Sequence, residues 1–129
     1  MEMFPSGDQS NHHGKIVLIE DDAGIREILS LTLEMEGYST QTARNGKEGL
    51  ALLANGERPD LILLDLMMPV MDGWSFLKAR EADHNIASIP VVILSAYGDS
   101  TKVPKADGVV RKPIKFEALD HYLQLYCGK

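Results

Sequence analysis

Four short segments carry oxygen ligands and one cation that could act together: Glu20-Asp21-Asp22, Asp65, Ser95 and Lys112-Pro113. Carboxylates gathered in one crevice repel one another unless a cation holds them. Mg²⁺ suits such a set, because it takes oxygen ligands, keeps several waters and needs only one or two carboxylates plus a phosphate. Zinc would prefer cysteine or histidine, and neither occurs in these segments. An aspartate in this setting can attack phosphorus as a carboxylate nucleophile. Asp65 is the best placed to do so, with Lys112 as a point charge for phosphoryl oxygens and Ser95 as a hydroxyl donor.

Each residue taken alone has an ordinary structural reading. Glu20, Asp21 and Asp22 can be the cap and first turn of a helix, where negative charge suits the macrodipole. Asp65 can start a turn, Ser95 can be a loop hydroxyl and Lys112 a solvated charge. The case for a site is their joint arrival at the ends of apolar runs: Ile16-Val17-Leu18-Ile19, Leu61-Ile62-Leu63-Leu64, Val91-Val92-Ile93-Leu94 and Val109-Val110. Short runs without alternation fit strands covered on both faces. In an open parallel sheet the carboxyl ends of such strands form the ligand crevice.

The elements between the runs fit this arrangement. Ile25, Ile28, Leu29 and Leu33 recur at helical spacing, and Gly37 supplies a stop. The polar stretch Tyr38 to Ala43 suits an edge strand. Asn45 can cap a helix that carries Leu50, Leu52 and Leu53 and ends at Asn55-Gly56. A further helix is expected from about Trp74 to Glu81, with Phe76 widening its apolar face. The last begins near Lys115, with a stripe of Phe116, Leu119, Leu123 and Tyr126. Alternating strand and helix predicts an α/β fold, a doubly wound five-stranded parallel sheet with right-handed crossovers.

The 129 residues suffice for one domain, expected over residues 15–129, with 1–14 as a flexible polar tail containing His12 and His13. A net charge of −6 argues against a nucleic-acid surface, and the longest apolar runs are too short to span a bilayer. The start has no signal-peptide core, and the single cysteine, Cys127, agrees with a reducing compartment. A cytoplasmic location is the expectation, with no membrane and no nucleic acid among the partners.

From Lys15 to about Cys127 the chain resembles the receiver domain of two-component response regulators. The resemblance rests on Asp65-Leu66-Met67-Met68-Pro69-Val70-Met71-Asp72-Gly73, on Val17-Leu18-Ile19-Glu20-Asp21-Asp22, on Leu94-Ser95-Ala96 and on Lys112-Pro113. The family commonly carries an arginine five positions after the second acid of its pair; Arg26 therefore makes the pair Glu20 and Asp21, and leaves Asp22 to begin the helix.

The resemblance implies a flavodoxin-like strand order 2-1-3-4-5. It implies that Asp65 accepts a phosphoryl group from a histidine kinase or phosphotransfer protein. Asp21, Asp65 and the backbone carbonyl of Met67 would bind Mg²⁺ directly, with Glu20 acting through water. Lys112 would contact the phosphoryl group, Ser95 would turn toward it, and the Lys112-Pro113 peptide would be cis. Such a domain signals through a downstream protein, as a monomer or weak dimer, and catalyses at most its own phosphorylation and dephosphorylation.

Three features depart from the family pattern. Val109 stands where an aromatic residue usually swings inward. The connection from Ser95 to Lys112 is several residues short and contains Pro104, so the fourth helix, between the fourth and fifth strands, is expected to be shortened or missing. Tyr97 follows Ser95 closely enough to flank the pocket or to cover the sheet edge. Two other functions compete: a Mg²⁺-dependent small-molecule phosphohydrolase, and a docking module that is never phosphorylated. Met67 stands where aspartate-nucleophile phosphatases of the haloacid dehalogenase type place a second acid, and the intact set of acids, Ser95 and Lys112 weighs against simple docking.

Overall fold

The computed structural model describes residues 14–96 and 104–127. Its strands are β1 (Lys15–Ile19), β2 (Ser39–Ala43), β3 (Leu61–Asp65), β4 (Val91–Ser95) and β5 (Gly108–Arg111). Four helices lie among the described residues: α1 (Ala23–Met35), α2 (Gly46–Ala54), α3 (Gly73–Ala82) and α4 (Phe116–Cys127). All strand pairs are parallel, in the order β2-β1-β3-β4-β5 that the resemblance implies.

The unbroken apolar strands divide between two cores, because successive side chains point to opposite faces. Val17, Ile19, Ile62, Leu64, Val91 and Ile93 face Leu53 of α2 and Phe76 and Leu77 of α3. Ile16, Leu18, Leu61, Leu63, Val92 and Leu94 face Leu29 and Leu33 of α1 and Leu119 and Leu123 of α4. In α3 Phe76 is fully buried while Trp74 only packs against the core margin. The edge strand β2 is polar as expected, with only Ala43 buried.

Local signals set the helix ends. Asp22, Asn45 and Asp72 each accept from the backbone N–H three residues on, at Ile25 (3.0 Å), Glu48 (2.9 Å) and Ser75 (2.9 Å). Beyond α1, Gly37 takes φ 99°, and Tyr38 N–H returns to Leu33 O at 3.0 Å. Gly14, grouped with the tail in the sequence reading, is buried: its carbonyl accepts from Ser39 N–H at 3.0 Å, and Cys127 Cβ lies 2.5 Å from where a side chain would begin. Burial pushes the Cys127 thiol up to about 12, which disfavours the thiolate that a nucleophile requires.

Pro104 to Asp107 carry no helix, and residues 97–103, where the fourth helix is expected to be shortened or missing and where Tyr97 falls, lie outside the described residues, as do His12 and His13. Val109 sits on β5, partly exposed.

Candidate functional site

The parallel register brings the ends of β1, β3, β4 and β5 to one rim. Asp65 pairs with Leu94, and Ser95 with Arg111, so Lys112 follows directly beside Ser95 and donates its N–H to Ser95 O at 2.7 Å. Among the described residues the only buried polar or charged side chains are Glu20, Asp65 and Ser95, at 0%, 4% and 2% exposure. Burying such groups costs heavily unless they are paired. Lys112 provides that pairing: its Nζ lies 3.0 Å from Glu20 Oε1 and 3.3 Å from Asp65 Oδ1. The Glu20 contact is a short ion pair, and Glu20 Oε2 accepts from Asp22 N–H at 3.2 Å.

Carboxylate oxygens of Glu20, Asp21 and Asp65 all lie within 4.8 Å of one another. They border a cavity of about 240 Å³ that Met67, Ser95 and Lys112 also line. Burial, then the charge of Glu20, push the Asp65 carboxyl up to about 7, against the pull of Lys112. Burial works to lower the Lys112 ammonium, but the carboxylates of Glu20 and Asp65 outweigh it and raise it. Three acids against one base leave the cluster short of positive charge. An all-oxygen set this compact, with one of its acids driven toward the neutral form, fits a hard divalent cation.

Every side chain predicted for the site, Glu20, Asp21, Asp65, Ser95 and Lys112, thus borders one cavity, and Met67 joins them. Asp22 caps α1, as the register argument requires. The Lys112-Pro113 peptide is cis.

Two features were not read from the sequence. Arg26, used there only to set the register, donates from Nη1 to the carbonyls of Glu20 (2.8 Å) and Asp21 (3.3 Å). The loop after Asp65 closes through Gly73, where a Cβ would meet Leu66 Cα at 2.8 Å and Asp65 O at 2.9 Å. The same loop turns at Val70, with φ 71° and a Met71 N–H to Pro69 O bond of 2.8 Å. A β-branched residue is costly at positive φ, and Val70 is 76% exposed, so packing offsets little of that cost. Val70→Asn is therefore expected to raise stability by about 1 kcal/mol in urea unfolding. An unchanged or lower midpoint would show that the turn is unstrained.

The chain matches the response regulator receiver domain over residues 16–124. It is 38% identical over 110 residues to the DNA-binding dual master transcriptional regulator RpaA of Synechocystis, covering 81% of this chain and 45% of that protein. It is 43% identical over 86 residues to the sporulation initiation phosphotransferase F of Bacillus subtilis, covering 66% of each. The chain thus spans less than half the length of the transcriptional regulator. In structure it superposes with a TM-score of 0.81 and 25% identity on the receiver domain of a sensor histidine kinase from Pseudomonas aeruginosa, covering 91% of this chain and 99% of that one. That structure has a magnesium ion coordinated in its active-site cleft. With strand order, acidic rim and matched segment in agreement, the chain belongs to the response regulator receiver domain family.

Proposed function

We propose that this domain receives a phosphoryl group on Asp65 from a phosphohistidine of a histidine kinase or phosphotransfer protein. The observation that carries this reading is the meeting of Glu20, Asp21 and Asp65 within 4.8 Å beside the Lys112 ammonium. An Asp65 carboxylate oxygen forms the new bond to phosphorus as the P–N bond breaks, and the imidazole nitrogen leaves with that electron pair. The product is an acyl phosphate. Asp21, Asp65 and the Met67 carbonyl would hold Mg²⁺, with Glu20 acting through water. Bound there, Mg²⁺ would neutralise charge on the phosphoryl oxygens and on the acids around them.

Lys112 exchanges its Asp65 contact for a phosphoryl oxygen and keeps Glu20 as its counter-ion. Ser95 donates to a second oxygen. Output passes to a protein partner from a cytoplasmic domain over residues 15–129. Among the described residues no helix is long and apolar enough to cross a membrane, and the net charge of −6 over the whole chain weighs against nucleic acid as a partner.

Incubation with acetyl phosphate and Mg²⁺ is expected to add one phosphoryl group by intact mass, and EDTA to prevent it. Uptake that proceeds equally in EDTA would remove the metal from the account. Turnover of small phosphate esters at a rate that outruns the labelling would favour the phosphohydrolase reading.

A further inference from the structure

Of the three acids, Asp21 has the least obvious support. Asp65 ends a buried central strand, and Glu20 is fully buried, pairs with Lys112 and donates its N–H to Ala43 O at 3.0 Å. Asp21 instead sits exposed on the bend between β1 and α1. The backbone around it is nevertheless held, because Arg26 Nη1 takes both flanking carbonyls, Glu20 O at 2.8 Å and Asp21 O at 3.3 Å.

Those carbonyls belong to the two peptide planes that meet at the Asp21 Cα. Fixing both planes fixes φ and ψ there, and so the direction of the Cα–Cβ bond that aims the carboxylate. The place of the arginine is itself unusual. It lies in the first turns of α1, the positive end of the helix dipole, where the acid at the helix end, Asp22, is engaged as the N-cap with Ile25 N–H. Arg26 as a residue is half-buried. A cation in such a place needs compensation, and the two carbonyl oxygens supply it.

We infer that Arg26 is a positioning residue for the metal site: it clamps the bend so that Asp21 is aimed into the cavity before any cation arrives. This rests on the proposal that the cavity takes Mg²⁺. Preorganisation of this kind acts on ligand affinity through an intermediary, as outer partners of metal ligands do. Its effect therefore depends on Asp21 being there to be aimed.

The test is a double-mutant cycle in which Mg²⁺ is titrated against the intrinsic fluorescence of Trp74, alongside melting in EDTA. Arg26→Met, which keeps the stem and removes the donors, is expected to weaken Mg²⁺ binding about tenfold. Arg26→Lys keeps a donor and is expected to stay within about threefold of the parent, which also serves if the Met variant folds poorly. In an Asp21→Ala background, Arg26→Met is expected to change the affinity less than about twofold. Equal weakening in both backgrounds would overturn the inference and leave Arg26 as an ordinary fold contact. Parent-like affinity in Arg26→Met would overturn it as well. A parent protein that binds no Mg²⁺ would instead overturn the metal-dependent function and the inference with it, a distinct result.

Discussion

Asp65→Asn is expected to lose phosphoryl uptake entirely and, in EDTA, to be more stable than the parent. Both effects follow from one buried carboxyl. Asn lacks a carboxylate nucleophile, so no acyl phosphate can form. The stability gain comes from the Asp65 pKa, which burial and the Glu20 charge push from 3.8 to about 7 in the folded protein. A folded pKa above the unfolded one favours the fold when the group is protonated. That contribution is fully present below the unfolded value and is lost as pH rises through about 7.

Above that pH the parent must hold a charged Asp65 in the cluster, whereas the Asn variant never does. The variant's advantage should therefore grow between pH 4 and pH 7 and level off beyond, reaching about 2 kcal/mol, half of what the full shift is worth because the open cavity mouth admits water. Urea unfolding at several pH values measures it. An advantage that is flat with pH would mean that Asp65 is not titrating in the fold. Added Mg²⁺ should narrow the gap by stabilising only the parent.

Lys112→Met is expected to act in the opposite direction. Glu20 is 0% exposed, and its cation partner is Lys112 Nζ, 3.0 Å from Oε1. Removing one partner of a buried pair leaves the other charge uncompensated, at a cost of about 3 kcal/mol near neutral pH without Mg²⁺. Lowering the pH should recover part of this loss, because Asp65, whose carboxyl burial already pushes up to about 7, can then be neutralised by a proton. Phosphoryl uptake from acetyl phosphate should slow about a hundredfold, since a charged donor aimed at the phosphoryl oxygens is gone. A loss below about 1 kcal/mol would place the pair in well-screened surroundings instead.

The two substitutions differ in sign because they sit on opposite sides of the same charge imbalance. Glu20, Asp65 and Ser95 were legible in the sequence because each directly follows a four-residue apolar run, with Lys112 after the shorter Val109-Val110, and parallel strands deliver their carboxyl ends to one side. Asp65 after Leu61-Ile62-Leu63-Leu64 is the clearest case. The register of the acidic pair was read for a different reason: Arg26 stands five positions after Asp21, which left Asp22 to begin the helix, and Asp22 does cap α1.

What the sequence did not reveal depends on tertiary geometry with no local signature. Val is among the last residues that pattern reading would put at positive φ, yet Val70 takes it to complete the turn between Asp65 and Gly73. Arg26 marks the register of the acidic pair in the sequence, but its hold on the bend appears only where the fold brings the Glu20 and Asp21 carbonyls within reach of its guanidinium. Gly14 reads as the end of a polar tail until Cys127, at the far end of the chain, packs against it.

The most direct test of the central claim is chemical trapping of the acceptor. Protein treated with acetyl phosphate and Mg²⁺ is reduced with borohydride, which converts an aspartyl phosphate to homoserine, and the modified residue is located by peptide mass spectrometry. Homoserine at position 65 alone is the expected result. Homoserine at Asp21, Asp22 or Asp72 with position 65 unmodified would contradict the assignment of the site.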